Sequence, residues 1–148
     1  MSEFAKFQII ENPNSKQKQA HQEKMQAFVM SRTGESVARR TQIIFIQLKI
    51  DNEIKGSVRL VKELDLLAVE SIWIDEDIQK MGYGVKLYIQ IEEFAQQQMC
   101  SRIVLSTYDF FKSLSFWLRM GFQIVGEIPN CSNGHHLYYL QKPLVAKK

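Results

Sequence analysis

The chain has 148 residues, 45% of them hydrophobic and 24% charged, an amount and mix that suit one globular domain with its own core over residues 1–148. Nineteen basic residues face sixteen acidic ones, a formal charge of +3 spread without clusters, which argues against a dedicated nucleic-acid face while allowing a small anionic ligand. Cys100 and Cys131 fit neither a disulfide scaffold nor a metal spacing, and no apolar run approaches the roughly 18 residues of a membrane span, so a reduced cytoplasmic protein without a membrane partner is expected.

Phe7 to Glu11 is β-prone and reads as a short strand, followed by an Asn-Pro-Asn turn in which Asn14 or Ser15 can cap a helix. Ala20, Met25, Phe28 and Val29 form the expected buried stripe of that helix. Gly34 ends it, and a brief helical turn is expected around Val37 and Ala38. Ile43 to Ile50 is rich in β-branched residues, Asp51 and Asn52 supply a tight turn, and Ile54, Val58 and Leu60 alternate on the return, which together specify a hairpin. Leu64 to Ile74 is a long, nearly continuous apolar run, the pattern of a central strand covered on both faces.

After the acidic turn Asp75 to Asp77, Leu87, Ile91, Phe94 and Ala95 recur at helical spacing in an amphipathic helix starting at Gly84. Arg102 to Thr107 is a further strand. A helix through Leu114, Trp117 and Leu118 stops at Gly121, and Phe122 to Ile128 and His136 to Leu140 are the last two strands. The order of elements predicts a mixed α/β (α+β) architecture, a sheet with helices on both faces around a β-α-β unit. A basic tail follows Pro143 and ends in Lys147 and Lys148.

The segment Gln79-Lys80-Met81-Gly82-Tyr83-Gly84 lies between strand and helix, where closely spaced glycines let a ligand approach the backbone and the helix N-terminus suits a phosphate. Two Gly-rich alternatives fail on spacing. A dinucleotide fingerprint needs a glycine where Leu87 stands and an acidic residue near 102–107, and no Gly-Lys-Ser or Gly-Lys-Thr triplet exists for a Walker A loop.

What remains is a Q/R-x-x-G-x-G/A pattern over Gln79 to Gly84, and here the sequence resembles the GNAT superfamily of N-acetyltransferases. Ile74 to Gln79 is similar to that family's V-D-P-x-x-R approach to the loop, and Phe116 to Phe122 is similar to its F-Y-x-x-L-G-F element. The tail Gly134, His135, Tyr138, Leu140 and Lys142 resembles a bacterial subgroup ending G-H-x-x-Y-x-L-x-K. The resemblance implies a mostly antiparallel sheet of six to seven strands splayed at its middle. It also implies acetyl-CoA as donor, with the pyrophosphate on the main-chain N–H groups of Met81 to Val85 and the pantetheine along Ile72, Trp73 and Ile74. Lys80 and Lys86 are placed to reach phosphates, with Gln79, at a position more often arginine, donating hydrogen bonds without charge.

The implied reaction is direct attack of a primary amine on the thioester in a ternary complex, the acceptor being a small-molecule or peptide amine. An alkyl amine is mostly protonated near neutral pH, and Glu70, the one acid inside the central strand, is the candidate base. The resemblance puts a tyrosine that protonates the leaving thiolate where this chain has Trp117, whose indole donates a hydrogen bond but is no useful acid. Tyr108 or water is left for that role, with Trp117 against cofactor or core. His135 and Tyr138, at the start of the last strand, are candidate acceptor contacts. The rival reading is a catalytically degenerate acyl-CoA sensor or partner-binding module. A homodimer is left open.

Overall fold

A computed structural model of the chain describes residues 5–34 and 42–145. The chain divides into two compact units, residues 1–39 and 40–148. In the first, Asn14 caps α1 (Ser15–Thr33): its side chain accepts from the Gln17 N–H at 2.8 Å, and Gln17 Oε1 accepts from the Asn14 N–H at 2.9 Å, a reciprocal capping box. Gly34, at φ 71°, closes the helix in the left-handed conformation.

Two expectations for this unit are corrected. Residues 5–10 form no strand: Phe7 and Ile9 are almost fully exposed, and among the described residues no strand pairs with them. Nor is the α1 stripe buried. Met25 and Phe28 are about half exposed and no α1 residue is buried, since the polar residues that separate its apolar ones leave no continuous apolar face. Val37, Ala38, Lys147 and Lys148 lie outside the described residues.

The second unit is a six-stranded sheet in the order β1-β2-β3-β4-β6-β5, formed by β1 (Gln42–Ile50), β2 (Glu53–Glu63), β3 (Leu66–Ile74), β4 (Arg102–Tyr108), β5 (Gln123–Ser132) and β6 (His135–Pro143). Helices α2 (Tyr83–Gln97) and α3 (Ser113–Arg119) follow β3 and β4. The β1–β2 hairpin turns through Asp51 and Asn52, both at positive φ as a twisted two-residue turn requires. Val58, Leu60, Leu67, Ile91, Ile103 and Leu140 are buried at the centre of a core joining the sheet to α2 and α3. Among the described residues no helix is long and apolar enough to cross a membrane.

β3 is central, as its apolar run predicted, but it is not covered on both faces. Leu67 and Val69 are buried, and Ile72 and Ile74 pack against the same core, whereas Glu70 and Trp73 are exposed. The cause is a register shift. Leu60 pairs with Val69 and Arg59 with Ser71, so Glu70 is an extra residue that flips the inward phase from odd to even positions. The run looks continuous because it is two alternating patterns joined out of phase.

The bulge also positions the site. β3 and β4 pair in parallel only at Leu66, Leu67 and Ala68 with Arg102, Ile103 and Val104. From Val69 and Leu105 onward the two strands diverge, and their facing backbone edges are left without a partner strand.

Candidate functional site

The chain leaves β3 through a one-turn 3₁₀ helix, Glu76–Ile78, that Lys55 anchors: its Nζ lies 3.1 Å from Asp77 and 3.5 Å from Asp75. The acidic residues that a sequence reading takes for a solvated turn are thus held to β2. Gln79 donates its side-chain N–H to the Ile74 carbonyl at 2.8 Å, closing the loop back on the strand end. Lys80 at φ 67° and Gly82 at φ 85° both take left-handed backbone conformations, and the chain then turns directly into α2. No side chain caps that helix, and its first i→i−4 bond is made by the Lys86 N–H, so the N–H groups of Tyr83, Gly84 and Val85 precede the helical ladder. Among the described residues these N–H groups have no hydrogen-bond partner, and they stand at the positive end of a 15-residue helix.

A cavity of about 600 Å³ opens beside this loop. Of the sequence-predicted residues, Ile72, Trp73, Ile74, Gln79, Lys80, Gly82, Gly84, Val85 and Trp117 line it, while Met81, Tyr83 and Lys86 do not. Lys86 places its Nζ 5.2 Å from the centre of the Tyr83 ring instead. A second cavity of about 400 Å³ fills the wedge between the diverging strands, lined by Val69 to Ile72 and Leu105 to Tyr108. The two cavities share Ile72, Ser113 and Trp117.

Glu70 and Tyr108 both line the wedge. The Glu70 carboxylate accepts from Arg59 Nε at 2.6 Å, and Arg59 lies over the Phe45 ring at 5.7 Å, so the carboxylate is oriented from β2 and β1. Tyr108 stacks on Phe110 with ring centres 5.2 Å apart. Trp117 is buried, packed edge-to-face with Tyr88, Phe116 and Phe122. His135 and Tyr138 line neither cavity. His135 Nδ1 lies 2.9 Å from Asp109 Oδ1, and Tyr138 packs on the core with its ring stacked on His136, whose own Nδ1 is 2.8 Å from Glu127. The Asp109 carboxyl is held below its ordinary range by the His136 backbone N–H and by His135.

Among the lining residues that sequence reasoning did not assign to the site, three lie on α3. Arg119, on the last turn of α3, lines the loop cavity and forms no ion pair with any described residue. Phe116 packs beneath Gly84, where an added Cβ would meet its ring at 3.5 Å. Ser113 stands at the junction, 2.9 Å from the hydroxyl of buried Thr107. Ser113, Phe116 and Arg119 recur every three residues, so the helical spacing that revealed Trp117 also carried these. Cys100 is buried, which pushes its thiol up, and among the described residues no cluster of metal-ligating side chains occurs.

Residues 7–122 match the model of the Acetyltransferase (GNAT) family. An acetyltransferase from Bacillus cereus ATCC 14579 is 24% identical and superposes with a TM-score of 0.77 over 93% of this chain and 98% of its own. A provisionally assigned acetyltransferase from Agrobacterium tumefaciens is 22% identical, with a TM-score of 0.81 over 95% of this chain and 100% of its own. A provisionally assigned streptothricin acetyltransferase from Bacillus anthracis str. Ames, in complex with acetyl coenzyme A, is 21% identical, with a TM-score of 0.63 over 70% of this chain and 64% of its own. No curated protein matches the chain in sequence. With the family pattern spanning the loop, the bulged strand and α3, and the same fold in these structures, the chain belongs to the GNAT family of acetyltransferases.

Proposed function

We propose that this protein transfers the acetyl group of acetyl-CoA to a primary amine by direct attack in a ternary complex. One observation carries the reading: the cavity beside the uncapped α2 start and the wedge between β3 and β4 meet at Ile72, Ser113 and Trp117, so an anion-binding end leads into a gap between free strand edges. The residues present suit the donor. The main-chain N–H groups at the start of α2, with Lys80 and Arg119 on the cavity wall, match a diphosphate, and the unpaired edge of β3 beyond Val69 offers amide groups to an extended, amide-bearing arm. Acetyl-CoA supplies an activated acyl group.

The chain's own part in the chemistry is positioning and proton management. In this reading the divergent strands hold the thioester side by side with the amine, and Glu70, oriented by Arg59 at the bulge, accepts the proton the amine must lose, directly or through one water. Tyr108, which lines the wedge but not the loop cavity, bears on the acceptor side. Titration calorimetry with acetyl-CoA tests the donor half, and binding at micromolar concentrations is expected. Thiol release with a panel of primary amines tests the transfer half: acceptor-dependent CoA release supports it, and binding without turnover for every amine class would leave a sensor.

A further inference from the structure

Resting on the acetyl-transfer reading, we infer that the Ser113 hydroxyl is the hydrogen-bond donor to the sulfur that leaves as the acetyl group is transferred. In that reading the donor's diphosphate lies in the loop cavity and the amine enters through the wedge, so the reacting bond lies where the two cavities meet. Three residues line both spaces. Ile72 has no side-chain donor. Trp117 has only an indole N–H, on a ring locked among Tyr88, Phe116 and Phe122. Ser113 is the remaining one, and it alone of the three carries an O–H.

Its orientation is set from beneath. Thr107, the one buried polar residue recorded among the described residues, stands on β4 with its hydroxyl 2.9 Å from the Ser113 hydroxyl. Thr107 has one proton, which can go to the Tyr108 carbonyl at 3.5 Å or to Ser113 at 2.9 Å; when the shorter bond takes it, the Ser113 proton is free to point into the junction, which makes Thr107 a positioning residue and Ser113 a catalytic one. In the step itself the amine lone pair forms the C–N bond and the C–S bond breaks with its electron pair on sulfur. The surplus amine proton passes to the acceptor on the Glu70 side. The thiolate leaves under the Ser113 hydrogen bond and takes its proton from water afterwards. A thiol near the ordinary cysteine value of about 8.5 needs only such stabilisation, not a strong acid.

The test reads the thiol as well as turnover. CoA bound to the protein is titrated by the ultraviolet absorbance of its thiolate. In the wild type the midpoint should lie below that of free CoA, and Ser113→Ala should raise it by about one unit and lower kcat about tenfold without changing KM for the amine. Ser113→Thr, which keeps the O–H, should restore both. Thr107→Val should shift the midpoint in the same direction by less, and it stands in if Ser113→Ala fails to fold. An unchanged midpoint in these variants, or a wild-type midpoint equal to that of free CoA, overturns the assignment alone. A wild type that binds no CoA overturns the acetyl-transfer reading beneath it.

Discussion

Gly82 and Gly84 are two residues apart yet do different work. Gly82 sits at φ 85° with open space where a side chain would go, so what it supplies is backbone conformation. An alanine there costs about 1–2 kcal/mol from the left-handed region and tilts the first N–H groups of α2. Gly84 has helical geometry, and its added methyl would meet Phe116 at 3.5 Å and Ile74 at 3.8 Å, ordinary contacts. Gly82→Ala should therefore lower both melting temperature and acetyl-CoA affinity, while Gly84→Ala should leave stability unchanged and lower affinity alone if ligand and backbone meet there. Calorimetry and thermal unfolding separate the two. At Glu70 the expectation is reversed. Glu70→Gln keeps the shape and the Arg59 contact, so acetyl-CoA should bind as in the wild type while turnover falls by about a hundredfold, the lower end for loss of a general base. Equal turnover in steady-state assays would remove Glu70 from the chemistry.

At the scale of elements, α2 is joined to the last strand by a partly buried polar cluster rather than by packing alone. Lys142 Nζ on β6 lies 2.9 Å from Glu92 and 2.8 Å from the Tyr88 hydroxyl, and its stem covers Gly121. Burial by itself would raise the Glu92 carboxyl, but hydrogen bonds from Tyr88 and Lys142 outweigh it and hold the group below its ordinary 4.5. The folded state thus favours the ionised form. Its stabilisation is fully present above pH 4.5 and fades as pH falls through the lower folded value. Glu92→Gln should cost about 1 kcal/mol near neutral pH and flatten the acid limb of a urea-unfolding profile below pH 4.5. None of this cluster is visible in sequence, where Tyr88, Glu92 and Lys142 read as a helix face and a tail motif. Elements that local chemistry fixes were legible: the β1–β2 hairpin through its alternation and Asp51-Asn52 turn, α1 through Asn14 and Gly34, and the end of α3 through Gly121 at φ 97°. Phe7 to Glu11 failed because β-prone residues make a strand only beside another strand. The Glu70 bulge was hidden because a phase flip in an apolar run looks like continuity, so Trp73 could be read as a cofactor contact but not as a residue on the exposed phase of the strand.

For the molecule as a whole, a formal charge of +3 is too small and too evenly spread to concentrate an anionic substrate by long-range attraction, so donor affinity should depend on where the cations stand. Lys80 and Arg119 line the loop cavity, arriving from segments about forty residues apart in the chain that only the fold brings together. That separation is why the loop motif announced Lys80 and left Arg119 unread. Lys49, exposed on edge strand β1, lines neither cavity and serves as the comparison. Arg119→Ala and Lys49→Ala remove the same unit of charge, so any attraction by net charge alone would weaken equally in both. With local recognition, Arg119→Ala should reduce acetyl-CoA affinity about three- to tenfold at low salt, less at high salt as exposed charges are screened, and should flatten the dependence of affinity on ionic strength. Lys49→Ala should follow the wild-type curve. Calorimetric titrations of the three proteins across a salt series decide the matter: superimposable curves for the two variants would mean that Arg119 does not meet the phosphates and that the grip rests on the main chain of the α2 start.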